Sequence, residues 1–289
     1  AAKNYKNVML LVDPKEYKSF IDSYYYCDKL ETFKKQLAFK GFEYVTEYDQ
    51  NITSYFNNRV TYRKYFNQEK LKYGCNPYQD ESFLCSINND NLPFKIINGT
   101  PGYINYLDAL NSFKLVSEIY KVTGFVGATS FKHTAPAGVG IGIRGFTQEE
   151  IEIFHIGKFS LSESPSGRAY IRARNCDPLS SFGDFIAISG EVDEQCAKLI
   201  QREVSDGIIA FDFTLGALKI LKEKKGGKFI ILKGDKELIY NDTEFKEVSG
   251  IALSQNCNSE LVNDNYFKNI ATMKKEYDDM ATLDLTIAT

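Results

Sequence analysis

From Asn105 onward, stretches that repeat apolar residues every three to four positions alternate with short apolar runs, and this alternation constrains the fold more than any other feature. The segment from Asn105 places Leu107, Leu110, Phe113, Val116, Ile119 and Tyr120 on one helical face, with Gly124 positioned as a left-handed C-cap. Gly124 to Phe131 then reads as a strand, Asp193 to Val204 as a helix, Gly207 to Phe211 as a strand, Leu215 to Lys224 as a helix and Lys228 to Leu232 as a strand. Strands alternating with helices predict an α/β domain with a largely buried sheet.

The first part of the chain reads differently. Val8 to Leu11 is a short apolar run before Asp13-Pro14, expected to be a buried strand ending in a turn that opens a helix. Between Lys29 and about Arg59, Leu30, Phe33, Leu37, Phe42, Val45, Tyr48, Ile52 and Phe56 recur at helical spacing, which predicts one long amphipathic helix whose stripe is explained by core packing. Short strands near Ser82 to Ser86 and Phe94 to Asn98 follow Tyr73-Gly74-Cys75-Asn76-Pro77, so a new domain is expected to begin between Arg59 and Lys72. The 289 residues are enough for one large domain or two ordinary ones. An apolar run close to the start, and an uncapped one at Leu285 to Thr289, lead us to expect truncation at both ends.

Composition narrows the partners. Lys plus Arg number 35 against 38 Asp plus Glu, a net charge of -3 without the positive excess that phosphate-backbone binding needs, so nucleic acid is not an expected partner. No stretch reaches the roughly 18 consecutive apolar residues of a membrane span, and no membrane partner is expected. Six scattered cysteines (Cys27, Cys75, Cys85, Cys176, Cys196 and Cys257) without CxxC spacing fit a reduced, cytoplasmic compartment. With only His133 and His155, a multi-histidine metal site is not expected.

The densest unusual segment runs from Ser130 to Gly140 (SFKHTAPAGVG), directly after a predicted strand. Strand ends followed by Gly-rich loops are where α/β folds place ligands. Lys132 sets a fixed positive charge beside His133, the side chain type that exchanges protons near neutral pH, and the pair suits a neutral general base. On spacing alone, an exposed pair at a loop edge is the simpler reading. Asn105 is a candidate N-cap whose neighbouring amides could receive an anion, or simply a cap. Ser180 to Asp184 and Ser205-Asp206-Gly207 read as turns, His155 as packing, and the basic run Lys222 to Lys228 as a solvated helix end.

Six collinear blocks carry a resemblance. They are Ala1-Ala2-Lys3-Asn4; Leu71 to Pro77; Asn98 to Asn105 with Asp108 to Asn111; Ser130 to Gly138; Arg172-Ala173-Arg174 with Ser180 to Phe185; and Arg202 to Ala210. Together they resemble the AICAR transformylase/IMP cyclohydrolase family of purine biosynthesis. The resemblance implies that residues 1 to 64 are the C-terminal part of a methylglyoxal-synthase-like cyclohydrolase domain with its connecting helix. Residues 65 to 289 would be the first cytidine-deaminase-like subdomain of the formyltransferase. It further implies formyl transfer from the co-substrate 10-formyltetrahydrofolate to AICAR, by a homodimer, with Lys132 and His133 carrying the chemistry and Lys3 serving the cyclisation. Lys72, Tyr73, Asn105, Gly183 and Asp206 match positions that hold the nucleotide in the family.

The departures from the family pattern are specific. Many members have Arg in place of Lys72, and an ammonium cannot make the two-pronged phosphate contact of a guanidinium. The family's Asn-Pro-His-Gln is Asn76-Pro77-Tyr78-Gln79 here, and its Pro-Gly after Ile209-Ala210 is Phe211-Asp212. A second reading from another class is a catalytically inactive homologue kept as a nucleotide-binding or dimerisation module. Retention of Lys132, His133 and Asp206 together argues against it.

Overall fold

The structure, a computed structural model, describes residues 1–26, 30–87, 92–157, 159, 161–237, 243–273 and 275–289. Cys27 and Lys29, the latter the expected start of the long helix, lie outside the described residues. The chain forms two compact units, Ala1–Tyr65 and Phe66–Thr289.

The described elements of the first unit are helical. Asp13 caps a short 3-10 turn, Pro14–Glu16, by accepting the Lys15 N–H at 2.9 Å, and the turn leads into α1 (Tyr17–Tyr26). The long helix α2 spans Leu30–Phe56. Val8 to Leu11 is not the expected strand. No strand is described in this unit to complete a ladder, and Leu10 lies instead against Gly41, where a methyl group would stand 2.8 Å from its Cδ2. The core-packing account of the α2 stripe holds only for its first half. Leu37, Ala38 and Gly41 are buried, whereas Phe42, Val45, Tyr48, Ile52 and Phe56 are exposed.

The second unit opens with a bulged antiparallel pair, β1 (Phe66–Lys70) and β2 (Phe83–Ser86). There follow β3 (Phe94–Asn98), α3 (Tyr103–Thr123), β4 (Gly127–Lys132), β5 (Ala135–Ile141), α4 (Gln148–Ile153), α5 (Pro165–Cys176), β6 (Asp184–Val192), α6 (Glu194–Arg202), β7 (Ser205–Phe213), α7 (Leu215–Glu223) and β8 (Ile230–Gly234). A separate hairpin of β9 (Thr243–Val248) and β10 (Ile251–Asn256) precedes α8 (Asp279–Ala288). The central sheet is six-stranded and mixed, in the order β3-β8-β7-β6-β4-β5. The pairs β6/β7 and β7/β8 are parallel and the other neighbours antiparallel. Gly124, with φ 71°, ends α3 as expected.

Period-2 alternation sorts the strand residues onto the two faces. Phe185, Ala187, Ile209, Phe211, Ile230 and Leu232 pack with Tyr106, Ala109, Phe113 and Val116 of α3. Ile186, Ile188, Ile208, Ala210 and Ile231 pack with residues of α5, α6 and α7 on the other side. Both faces are therefore covered, which is why these strands read as continuous apolar runs. No helix of the described residues is long and apolar enough to cross a membrane.

The Gly-rich stretch after Lys132 is not a ligand loop. It forms the edge strand β5, whose glycines at every second position let α5 lie against the backbone. A methyl group at Gly138 would come within 2.1 Å of the Ala173 carbonyl oxygen, and one at Gly140 within 2.6 Å of the Ala169 carbonyl oxygen. Replacing Gly138 by Ala is expected to lower stability by at least about 1–3 kcal/mol, the usual cost of overpacking against backbone that cannot yield. Chemical denaturation would read this, and an unchanged midpoint would mean that β5 and α5 are not so closely apposed.

Candidate active site

Five chain segments meet at one edge of the central sheet. β4 ends there at Lys132 and β3 at Asn98, while β6, β7 and β8 start there at Asp184, Ser205 and Ile230. Asn98 ties two of the segments together, its Nδ2 donating to the carbonyls of Gly227 at 3.0 Å and Phe229 at 2.8 Å. Gly99 to Gly102 then carry the chain into the first turn of α3 at the same edge.

The Lys132-His133 pair sits at the hairpin joining β4 to β5. Lys132 pairs with Ala135, so His133 and Thr134 form a two-residue loop with φ of 54° and 62°. This is the left-handed geometry of a type I′ turn, which ordinarily selects Asn-Gly, and a β-branched Thr there is an outlier. Holding each residue there costs on the order of 1–3 kcal/mol, which the surrounding structure must offset. The Thr134 N–H donates to Asp108 Oδ1 at 2.7 Å, and the Thr134 hydroxyl donates to the His133 carbonyl at 2.7 Å. Lys132 Nζ donates to the Phe182 carbonyl at 2.8 Å, which fixes the ammonium beside Gly183. Gly183 takes φ 76°, and a methyl group there would meet only Lys132 Nζ, at 4.0 Å.

Carboxylates surround this pair. Asp108, on α3 and 7% exposed, has its pKa raised because burial disfavours its charge, an effect opposed by the Thr134 N–H and by the charges of His133 and Lys132. Asp206 is close enough to raise Asp108 further and is itself ion-paired with Lys225 at 2.6 Å. Beneath them, Asp184 accepts from the Ser130 hydroxyl at 2.5 Å and lies 3.7 Å from Arg174. Burial pushes the Asp184 carboxyl up to about 6, against the opposing pull of Ser130 and Arg174.

Lys132, His133, Gly183 and Asp206 are thus brought together. Asn105 is nearby in sequence to Asp108 but is not the N-cap. Gly102 caps α3, and Asn105 Oδ1, at the third helical position, accepts the Gly102 N–H at 3.0 Å. Asp206 lies inside β7 rather than in a turn, and His155 is exposed with φ 50° rather than packed, because α4 ends at Ile153 and leaves it in a left-handed position. Lys72 and Tyr73 lie between β1 and β2, with Lys72 exposed and its Nζ 5.5 Å from the Tyr73 ring centre. Neither makes a described hydrogen bond or ion pair with the Lys132 cluster. Lys3 is exposed in a short 3-10 turn of the first unit. Among the described residues no group of three or more His, Cys, Asp or Glu could hold a metal ion.

Sequence reasoning assigned no role to Asp108, Ser130, Arg174, Asp184 or Lys225. Asp108 lies beside the apolar stripe of its helix, with Ile104, Asn105, Asn111 and Ser112 three and four positions away, so a polar face explains it as simply as a site does. Arg174 and Asp184 fall in one of the resemblance blocks, but nothing in their spacing signals that α5 and β6 bring them together.

The AICARFT/IMPCHase bienzyme family matches residues 1–289. The chain is similar to the bifunctional purine biosynthesis protein PurH of Acetivibrio thermocellus, with 29% identity over 98% of this chain and 53% of the relative. The PurH proteins of Ruminiclostridium cellulolyticum and Leptospira biflexa are each 29% identical over 98% of this chain, covering 53% and 52% of their own lengths. The chain spans about half the length of the curated relatives it matches.

The raised Asp184 pKa has a stability signature. Its folded-state pKa of about 6 lies above the ordinary 3.8, so the native state binds the proton more tightly than the unfolded chain. The associated stability is fully present below the ordinary value and is lost as pH rises through about 6. Asp184→Asn is expected to flatten that fall, which is on the order of 2–3 kcal/mol across the window. Urea midpoints of parent and variant from about pH 4 to pH 7 would measure it, and parallel profiles would refute the assignment.

Proposed function

This chain belongs to the AICARFT/IMPCHase bienzyme family, and on that ground we propose that its Lys132-His133 edge transfers a formyl group from 10-formyltetrahydrofolate to the 5-amino group of AICAR. The observation that carries the reading is the convergence of Lys132, His133, Gly183 and Asp206 at one sheet edge, although they come from separate segments. On this reading the second unit is a cytidine-deaminase-like formyltransferase subdomain and the first is the end of a methylglyoxal-synthase-like cyclohydrolase domain, where Lys3 serves ring closure to IMP. The protein works as a cytoplasmic homodimer, with AICAR and the folate as its small-molecule partners.

The chemistry follows from the groups present. The amino lone pair of an aminoimidazole carboxamide is delocalised into the ring, so attack on the formyl carbon needs a base to accept the amine proton. His133 stands at a turn tip and is exposed, so it can meet a substrate from solvent. As the N–C bond forms, negative charge collects on the formyl oxygen. Lys132 stabilises it with an ammonium already held by the Phe182 carbonyl, so little reorganisation is required at the moment of reaction. When the bond from the formyl carbon to folate N10 breaks, the proton held by His133 passes to N10. Asn105, Gly183 and Asp206 bound the nucleotide side of the site, and Lys72 with Tyr73 supply a charge and a ring.

His133→Ala in the intact protein is expected to lower formyl transfer by at least roughly 100-fold with a smaller change in AICAR binding. Unchanged turnover would remove His133 from the mechanism. For Lys72, acting as a point charge toward the nucleotide phosphate, Lys72→Arg should preserve or tighten AICAR binding, and Lys72→Ala should weaken it most at low salt. Titration calorimetry at two ionic strengths would decide, with equal affinities for all three proteins contradicting the role.

A further inference from the structure

We propose that Asp108 is the positioning residue of the Lys132-His133 turn: its buried carboxylate on α3 holds His133 in a left-handed backbone conformation by accepting the Thr134 N–H. The inference rests on the reading of His133 as the base. Three observations carry it. First, a two-residue hairpin loop of His and Thr is a poor intrinsic choice for two consecutive positive φ values of 54° and 62°, so something outside the loop must stabilise it. Second, among the described residues the backbone of the loop is tethered to a different element by the 2.7 Å bond from Thr134 N to Asp108 Oδ1. Third, Asp108 is 7% exposed on a helix whose neighbouring residues Tyr106, Ala109 and Phe113 are locked in the core, so the tether has a rigid base.

The geometry explains why an acid is kept at a site that disfavours its charge. An Asp side chain can reach across from α3 to the turn, and an ionised carboxylate accepts a shorter and stronger bond than a neutral acceptor. His133 and Lys132 face it from the turn and Asp206 from β7, so two basic groups and one acid set its surroundings. Asp108 does not need to touch substrate. Its task is to fix the backbone from which the imidazole projects, and displacement of a catalytic group by about 1 Å can lower a rate by the order of 100-fold.

The test separates positioning from general damage by supplying the conformation in another way. Glycine adopts positive φ without the steric penalty of a β-branched residue, so Thr134→Gly makes the tether less necessary. In the intact protein, Asp108→Ala is expected to lower kcat for formyl transfer by about 10- to 100-fold with KM for AICAR changed far less. Adding Thr134→Gly to Asp108→Ala should restore at least about half of that loss on a logarithmic scale, and Asp108→Asn, which keeps an acceptor oxygen, should lose less than Asp108→Ala. A double variant as impaired as Asp108→Ala, or a loss expressed only in KM, would overturn the proposal.

Thermal unfolding of the parent, Asp108→Ala, Thr134→Gly and the double variant reads the tether without any assay of activity. Asp108→Ala should lower Tm by a few degrees in the parent and by clearly less in the Thr134→Gly background. Equal drops in the two backgrounds would overturn the proposal, and this comparison stands even if Asp108→Ala is too unstable for kinetics. His133→Ala run alongside distinguishes the failures. If it leaves formyl transfer intact, the functional reading is wrong while the Tm comparison still judges the tether.

Discussion

Burial of the central sheet on both faces is the constraint from which the rest of the second unit follows. Alternate residues of β6, β7 and β8 face α3 on one side and α5, α6 and α7 on the other, and most are fully buried. A sheet covered in this way can present chemistry only at the ends of its strands or along its edge. The edge strand β5 is also engaged, because its glycines admit α5 to backbone contact. What remains open is the end where β4 finishes and β6 and β7 begin, and the Lys132-His133 turn lies there.

At that end the charges are arranged by depth. Asp184 is fully buried and bonded to Ser130, two residues before Lys132 on the same strand, so the buried polar group braces the base of β4. Asp108 is nearly as buried but reaches outward to the turn, and Asp206 is partly exposed against Lys225. Arg174 lies between Asp184 and Glu203, at 3.7 Å and 3.5 Å, so the innermost acid has a cation beside it. From an interior acid whose ionisation burial holds back to the solvated Asp206–Lys225 pair, the described acids leave the ammonium of Lys132 without a direct carboxylate partner. It is held instead by a carbonyl, and its charge is left available.

How much of this could be read from the sequence depended on whether the signal was local. The helices Tyr103–Thr123, Glu194–Arg202 and Leu215–Glu223 were legible because their periodicity and caps lie within a few residues. The strand at Val8 to Leu11 was misread because an apolar run of four residues satisfies a strand and a covered coil equally. The edge strand at Ala135–Ile141 was read as a loop because glycine signals flexibility locally, whereas here it answers to α5, a helix distant in the sequence. In the candidate site, Lys132 and His133 were legible as an adjacent pair, and Gly183 and Asp206 only through resemblance. Asp184 with Arg174 was not legible, since a buried pair reveals itself only when the fold has closed around it.

The position of the turn also bears on which end of the sheet is free to bind. In parallel α/β sheets the usual ligand end is the carboxyl end of the strands, where helix N-termini converge. Here that end carries α5, α6 and α7, and each is closed by its own side chain: Ser164 accepts from Gly167 N, Asp193 from Gln195 N and Cys196 N, and Thr214 from Ala217 N. Ser164 also donates to Asp193 at 2.6 Å, which joins two of the caps. One first-turn amide of α5 and of α7 and two of α6 are thus engaged, and acidic Glu163, Asp193 and Glu194 line the surrounding concavity, so an anion would meet unfavourable charge. At the opposite end α3 is preceded by its N-cap Gly102, which has no side chain to spend on the first turn. Lys132, held by a carbonyl, and the start of α3, whose cap residue offers no side chain, therefore share one end of the sheet, and the self-capped helices share the other. The antiparallel insertion of β4 beside β6 brings the Lys132-His133 turn to the end where the first-turn amides of α3 and the charge of Lys132 have no side-chain partner among the described residues.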